Sequence, residues 1–161
     1  MSIINIYVDG ACRGNPGLGS WAAIIVQIGV ECELCGHEPD TTNNRMELRA
    51  AIEALKALGI QQAHDDLFEL SLMTSVQPQN ITICTDSQYV QKGMTQWITN
   101  WKRKNWKDVK NPDLWQELDN LASKHNVTWQ WVRGHSGHTM NERADRLANK
   151  AMDEFLAGKN L

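Results

Sequence analysis

The stretch Ile3-Ile4-Asn5-Ile6-Tyr7-Val8-Asp9 predicts a buried strand that ends on an acidic residue. Immediately after it, residues 10–19 are rich in glycine and contain a proline, so they predict a loop. Two further strands are expected over residues 20–28 and 30–38, joined by a tight turn at Gly29. The first part of the chain therefore predicts an antiparallel hairpin next to the opening strand.

Helices and strands alternate along the rest of the chain. Thr42 or Asn43 is expected to cap a helix over residues 44–58, and Gly59 is expected to end it. Residues 60–79 have the least regular pattern and predict an irregular insertion. The remaining predicted elements are strands over 80–85 and 127–132 and helices over 87–95, 96–104, 111–124 and 140–157. This order predicts an α/β domain with a mixed sheet, in which parallel crossovers follow the antiparallel hairpin.

Apolar spacing predicts which side chains form the core. The first and last helices each carry an apolar stripe at helical spacing. These stripes consist of Met46, Leu48, Ala51, Ile52, Leu55 and Leu58 in the first helix, and of Met140, Ala144, Leu147, Ala148, Ala151 and Phe155 in the last. Trp115, Trp129 and Trp131 are also expected in the core. Cys32 and Cys35 lack a second pair of metal ligands at matching spacing, so they are expected to be reduced thiols on opposite faces of a strand.

Length and composition predict one soluble domain over residues 1–161. No apolar run approaches the roughly 18 residues of a membrane span, and no secretory signal pattern is present, so a cytoplasmic location is expected. The net charge of −3 does not by itself suggest a nucleic-acid partner. However, the segment from Lys92 to Lys110 holds six Lys or Arg residues against one acid, Asp108. This local basic excess favours phosphate binding.

Four acidic residues that lie far apart in the sequence share one kind of position. Each stands at the end of a predicted strand or on a helix that is expected to pack against one; they are Asp9, Glu47, Asp86 and Asp145. If the fold brings them together, their hard oxygen ligands suit Mg²⁺ or Mn²⁺. A pair of such ions about 4 Å apart is a common arrangement for phosphodiester hydrolysis.

Four segments, in matching order and spacing, resemble the prokaryotic type 1 ribonuclease H family over about residues 3 to 152. They are Asp9 to Gly17, Thr41 to Glu47, Thr85 to Val90, and Trp131 to His138 with Asn141 to Asp145. The resemblance implies a ribonuclease H-like fold, a five-stranded mixed sheet flanked by helices. It also implies endonucleolytic cleavage of the RNA strand of RNA/DNA hybrids, with 5′-phosphate and 3′-hydroxyl products. The implied cofactor is Mg²⁺, two ions with substrate, for which Mn²⁺ can substitute.

The resemblance also implies roles for individual residues. The metal ligands are Asp9, Glu47, Asp86 and Asp145, and His135 is a mobile proton carrier. The residues that contact substrate are Asn15, Thr42, Asn43, Asn44, Gln88, Trp97, Trp101, Lys102, Arg103 and Lys104. Within this set the amides of Asn15, Asn44 and Gln88 read 2′-hydroxyls, and Thr42, assisted by Asn43, grips a phosphate of the DNA strand.

Residues 96–110 resemble the family's basic, Trp-rich protrusion, in which aromatic rings pack on DNA-strand sugars and cations face phosphates. His138 is expected to order its loop, and Glu142 matches a position associated with product release. Asp40 departs from the family's pattern, because an arginine that binds phosphate often stands there. The connection from residue 106 to 111 is also shorter than in the best-known members.

Two other functions remain open at this point. A transposase-like or resolvase-like enzyme on the same fold would cut duplex DNA, and the amide set together with Thr42 argues against it. A non-catalytic hybrid-binding module would be expected to tolerate loss of its carboxylates, yet all four are present. Fold alone does not decide among these functions. The protein is expected to be a monomer without an obligate protein partner or membrane association.

Overall fold

The computed structural model describes residues 3–65 and 77–159. Its strands are β1 (Ile3–Arg13), β2 (Gly17–Gln27), β3 (Val30–Thr41), β4 (Asn80–Thr85) and β5 (Asn126–Trp131). In the described ranges they form one five-stranded sheet in the order β3-β2-β1-β4-β5. The β1–β2 and β2–β3 pairs are antiparallel, whereas the β1–β4 and β4–β5 pairs are parallel. The predicted mixed sheet is therefore confirmed.

Helices cover both faces of this sheet. They are α1 (Asn43–Asp65), α2 (Gln88–Lys92), α3 (Ile98–Arg103), α4 (Pro112–Ala122) and α5 (Thr139–Lys159). Alternate residues of β1, such as Ile6 and Val8, join the core cluster that also contains side chains of α1 and α4. On the other face α5 packs against β1 and β2, and the buried Ser20 hydroxyl donates to the carbonyl of Ala148. All six residues of the predicted α1 stripe are buried.

The predicted loop over residues 10–19 is wrong, because most of it belongs to the sheet. β1 continues to Arg13 and pairs with β2 along this whole stretch, which leaves residues 14–16 as the turn. Glycine is required at position 10 for close packing rather than for a loop, because a Cβ on Gly10 would collide with the backbone of Glu47. Glycine therefore allows α1 to lie directly against β1.

The predicted end of the first helix at Gly59 is also wrong, because α1 continues to Asp65. Gly59 does not adopt the positive φ with which a glycine ends a helix, and open space surrounds its Cα. The first part of the predicted insertion over residues 60–79 is therefore helical. Residues 66–76 of that insertion lie outside the described residues.

The two helices predicted over residues 87–104 are one continuous helical segment. A π-helical turn over Gly93–Trp97 joins α2 to α3. In a π-helical turn, residues five positions apart lie on the same face, so Gly93 and Ile98 are both buried. An uninterrupted α-helix would place these two residues on different faces. Trp97, which precedes Ile98, remains 38% exposed.

The predicted tryptophan core is confirmed in part. Trp115 is fully buried and Trp129 packs against the core, but Trp131 is 40% exposed, so its prediction is wrong. Trp131 ends the edge strand β5, and its indole N–H donates to the carbonyl of Asp86 at 3.0 Å. Cys32 and Cys35 are free, exposed thiols on β3, as expected. Among the described residues, no helix has the length and apolar character needed to cross a membrane.

Candidate active site

Three of the four predicted acidic ligands meet where β1 runs past the C-terminal end of β4. Val8 of β1 pairs with Thr85 of β4, so the next residues, Asp9 and Asp86, lie side by side. Glu47 is brought to them by α1, which approaches β1 across Gly10. One carboxylate oxygen from each of the three acids lies within 4.8 Å of the others.

Asp145 reaches the same cleft from α5. The cleft has a volume of about 450 Å³, and Asp9, Glu47, Asp86 and Asp145 all line it. The charge of Asp145 adds to the raised pKa of Asp9, although Asp145 is not part of the compact group of three. The structure therefore brings all four predicted acids to one cleft, with three of them in closer contact.

Burial and mutual repulsion dominate the electrostatics of this cluster. Burial, followed by the charges of Glu47 and Asp86, raises the pKa of Asp9 to about 11. Burial and the charge of Asp86 also raise the pKa of Glu47, while hydrogen bonds from Asp9 and the backbone N–H of Gly10 lower it. The buried Oε2 atom of Glu47 has no hydrogen-bond partner among the described residues. The protein alone therefore leaves this cluster short of positive charge and of donors.

A short loop places His135 in the cleft. His135 adopts a left-handed backbone conformation, with φ 53°, and its side chain lines the cleft. The loop is ordered by a hydrogen bond of 3.1 Å from the N–H of Gly137 to the carboxylate of Glu142. His138 accepts a 3.2 Å hydrogen bond from the N–H of Asn141 in the first turn of α5, which supports the expectation that it orders the loop.

Gly134 permits this loop to approach the acids. A Cβ on Gly134 would lie 2.8 Å from Oδ2 of Asp86, which is closer than ordinary contact. The glycine therefore allows the loop that carries His135 to pass directly beside a predicted metal ligand.

Two of the three predicted amide readers stand at the starts of helices. Asn44 and Gln88 are exposed in the first turns of α1 and α2, and Asn43 lines the cleft. Asn15, in the β1–β2 turn, accepts a 3.0 Å hydrogen bond on its side-chain oxygen from the N–H of Asn43. Thr42 caps α1, because its hydroxyl oxygen accepts a 3.2 Å hydrogen bond from the N–H of Arg45.

Arg45 links the helix of Glu47 to α4, a connection that sequence reasoning missed. Its guanidinium donates to both carboxylate oxygens of Asp113, at 3.1 and 2.8 Å, and to the side-chain oxygen of Asn111 at 3.2 Å. This pairing lowers the pKa of Asp113. Asn111 in turn donates to the hydroxyl of Tyr89 at 3.1 Å, so the network joins α1, α4 and α2. No local sequence signal reveals a contact between residues so distant in the chain.

The predicted protrusion contains aromatic rings that pack against one another at tilted angles. The ring centroids of Trp97 and Trp101 lie 5.9 Å apart, and Trp101 lies 4.9 Å from Trp115 of the core. Lys102 forms a 2.8 Å ion pair with Asp119, which reduces the positive charge available there. Arg103 and Lys104 are exposed, and no carboxylate among the described residues pairs with them.

Sequence reasoning missed other residues of the cleft wall, namely Gly10, Ala11, Cys12, Ser87 and Asn149. Ser87 carried a usable signal, because serine before a helix is a common N-cap, and its hydroxyl accepts a 3.1 Å hydrogen bond from the N–H of Val90. The thiol of Cys12 lies 3.5 Å from the carbonyl of Thr41, and burial raises its pKa. Asn149 had no recognisable signal.

Sequence comparisons relate the chain to a known family. The family model described as RNase H matches residues 1–153. The chain is similar to the ribonuclease H of Hydrogenovibrio crunogenus, with 54% identity over 160 residues that cover 96% of this chain and 99% of the relative. It is also similar to the ribonuclease H of Francisella philomiragia, with 54% identity over 158 residues that cover 95% and 92% of the two chains.

Solved structures share the fold. LC9-RNase H1, a type 1 RNase H, superposes with a TM-score of 0.77 at 32% identity and covers 95% of this chain and 73% of its own. RNase H1 from the archaeon Halobacterium salinarum superposes with a TM-score of 0.63 at 30% identity over 94% and 98% of the chains. LC11-RNase H1, solved in complex with an RNA/DNA hybrid, superposes with a TM-score of 0.62 at 24% identity and covers 95% of this chain and 99% of its own. At that identity the last likeness supports the fold alone.

Proposed function

The chain belongs to the ribonuclease H family of nucleases, and from this premise we propose that it is an endonuclease for the RNA strand of RNA/DNA hybrids. The proposed products carry 5′-phosphate and 3′-hydroxyl ends. The observation that carries the proposal is the convergence of the buried Asp9 and Glu47 with Asp86 in a cleft that His135 also lines. The ribonuclease H relatives that are 54% identical to this chain support the choice of substrate.

The donor set of the cleft fits divalent cations. Its group of three acids offers hard oxygen ligands, one of which, Oε2 of Glu47, is buried without a partner among the described residues. Burial, followed by repulsion from Glu47 and Asp86, raises the pKa of Asp9, and a bound cation would oppose both effects. We infer that Asp9, Glu47, Asp86 and Asp145 would hold two Mg²⁺ ions with substrate, or Mn²⁺ in their place. When bound, such ions lower the pKa of the attacking water and neutralise charge on the leaving oxygen.

The side chains of the chain itself orient the substrate and move the proton. His135, on its ordered loop beside Asp86, is suited to carry a proton because an imidazole nitrogen can both accept and donate one. The amides of Asn15, Asn44 and Gln88 can donate to and accept from 2′-hydroxyls, which distinguish RNA from DNA. The side-chain oxygen of Asn15 already accepts from Asn43, so its NH₂ group is the part free to contact substrate.

The DNA strand would lie toward the protrusion over residues 96–110. The exposed ring of Trp97, packed against Trp101, offers an apolar surface for a sugar, and Lys104 offers a cation for a phosphate. Thr42 and Asn43, at the start of α1, are proposed to grip a phosphate of the same strand. The single domain over residues 1–161, the monomeric state and the cytoplasmic location remain predictions.

A cleavage assay with matched substrates tests this function. The protein is incubated with a labelled RNA/DNA hybrid, the corresponding RNA/RNA and DNA/DNA duplexes, and the single strands, each with Mg²⁺, Mn²⁺ or EDTA. Asp9→Asn is the test variant, and Glu154→Gln, which changes an exposed acid of α5 outside the cleft, is its control.

The expected result is cleavage confined to the RNA strand of the hybrid, dependent on metal, abolished in Asp9→Asn and unchanged in Glu154→Gln. Mapping of the product ends by ligation and phosphatase treatment checks the proposed chemistry. Cleavage of duplex DNA would instead support a transposase-like enzyme. Tight hybrid binding without cleavage in either metal would support a binding module.

A further inference from the structure

Asn149 lies one helical turn after Asp145 on α5, and both side chains line the cleft. The side-chain NH₂ group of Asn149 donates to the backbone carbonyl of Asp145 at 3.0 Å. The same group lies 3.4 Å from Oδ1 of the Asp145 carboxylate. Asn149 therefore restrains both the backbone and the side chain of a predicted metal ligand.

Asp145 is the predicted ligand whose position most needs such a restraint. The oxygens of Asp9, Glu47 and Asp86 approach one another within 4.8 Å, and Asp145 is outside that group. Asp145 lines the same cleft as this group. Its carboxylate is approached from its own helix by Asn149.

The chemistry of an amide suits this position. A primary amide donates hydrogen bonds without carrying charge, so it can orient a carboxylate without neutralising it. A lysine or arginine here would place a positive charge beside a site that is short of cations and would compete with a metal for Asp145. Replacing a group that orients a metal ligand in this way typically costs about 10- to 100-fold in metal affinity or activity.

We propose that Asn149 is a positioning residue that holds the carboxylate of Asp145 ready to bind metal, an inference that rests on the proposed function. Metal affinity then depends on Asn149. Affinity for the hybrid does not, because the proposed substrate contacts lie in the β1–β2 turn, at the starts of α1 and α2, and on the protrusion, and none of them lies on α5.

A calorimetric titration of the substrate-free protein with Mn²⁺ tests this proposal. Asn149→Leu keeps the approximate size of the side chain and removes its donors, whereas Asn149→Gln keeps the amide. Asn120→Leu, on an exposed position of α4 outside the cleft, is the matched control. We expect Asn149→Leu to weaken Mn²⁺ binding about tenfold or more, Asn149→Gln to restore part of that loss, and the control to bind as the unmodified protein does.

Cleavage of the hybrid at increasing Mg²⁺ provides the second readout. Asn149→Leu should move the midpoint to higher Mg²⁺ by a similar factor, with the KM for the hybrid unchanged at saturating metal. Unchanged Mn²⁺ affinity in a folded Asn149→Leu protein would overturn the proposal. If that variant fails to fold, Asn149→Ala replaces it with the same expected result. If the unmodified protein cuts no hybrid, the proposed function fails, while the Mn²⁺ titration still decides the role of Asn149.

Discussion

Gly93 lies directly against the indole ring of Trp115, with no space for a side chain between them. A Cβ on Gly93 would collide with three ring carbons of Trp115, which is fully buried at the centre of the core. The contact lets the π-helical turn that begins at Gly93 pack closely on α4. It therefore supports the segment that carries Trp97 and Trp101.

Gly93→Ala should lower the free energy of unfolding by about 2 kcal/mol, because the added methyl group overpacks a rigid ring. Gly59→Ala is the matched control, since Gly59 lies inside α1 and a Cβ there would have nothing within 4 Å. That change should raise stability by up to about 1 kcal/mol through helix propensity. Urea unfolding of both variants measures the difference. Equal effects of the two changes would contradict the contact.

The raised pKa of Asp9 predicts how stability without metal depends on pH. With a pKa of about 11 in the folded protein and an ordinary value of 3.8, Asp9 keeps its proton on folding over the range between these values. The stabilisation is complete below the unfolded pKa and is lost as pH rises toward the folded pKa. The free energy of unfolding in EDTA should therefore fall by up to about 1.4 kcal/mol per pH unit in this range.

Asp9→Asn should flatten that slope, because an amide has no proton to release on unfolding. Urea unfolding in EDTA from about pH 5 to about pH 9 makes the comparison. Added Mg²⁺ should stabilise the unmodified protein increasingly as pH rises, since metal binding requires the charged carboxylate. Parallel slopes for Asp9→Asn and the unmodified protein would show that the proton is held elsewhere.

Gly134→Ala should impair catalysis more than stability. The added Cβ would lie 2.8 Å from Oδ2 of Asp86, so either this carboxylate or the loop of His135 must shift. We expect kcat for hybrid cleavage to fall about 10- to 100-fold, with little change in KM, because small displacements of catalytic groups are costly. Gly158→Ala is the control, since nothing lies within 4 Å of a Cβ there. Full activity of Gly134→Ala would show that the cleft tolerates the shift.

Lys104 should contribute more to hybrid binding than Lys102. Lys102 is held by Asp119 at 2.8 Å, whereas no carboxylate among the described residues pairs with Lys104. With the inactive Asp9→Asn protein, Lys104→Ala should reduce the slope of log affinity against log salt by about 1. Lys102→Ala combined with Asp119→Asn leaves the net charge unchanged and should alter the slope by much less. Fluorescence anisotropy with labelled hybrid measures both slopes, and a larger effect of the combined change would contradict this ranking.

Local patterns predicted the elements well where one face of an element is buried. The stripe from Met46 to Leu58 identified α1, and the strands predicted over residues 80–85 and 127–132 correspond to β4 and β5. These predictions hold because periodic burial leaves a periodic pattern in the sequence. The match of four segments to the ribonuclease H family is likewise a property of the sequence, and the family comparison confirms it.

Local patterns failed where partners distant in the chain decided the outcome. Gly10 predicted a loop, yet pairing with β2 keeps it in a strand, and its missing side chain admits α1. Gly59 predicted the end of α1, yet the helix continues past it. Trp131 was expected in the core, yet its position on the edge strand β5 leaves it exposed. Glycine and tryptophan serve several structural purposes, and only their neighbours distinguish among these.

The amino-acid sequence by itself determined the fold class, the family and the four acids that are the candidate metal ligands. Only the tertiary structure decided that Asp9, Glu47 and Asp86 form a compact group, with Asp145 held beside it by Asn149. The reason is physical: these positions depend on the parallel pairing of β1 with β4 and on the packing of α1 and α5 against the sheet. Such contacts join residues far apart in the chain, and the raised pKa of Asp9 exists only once they have formed.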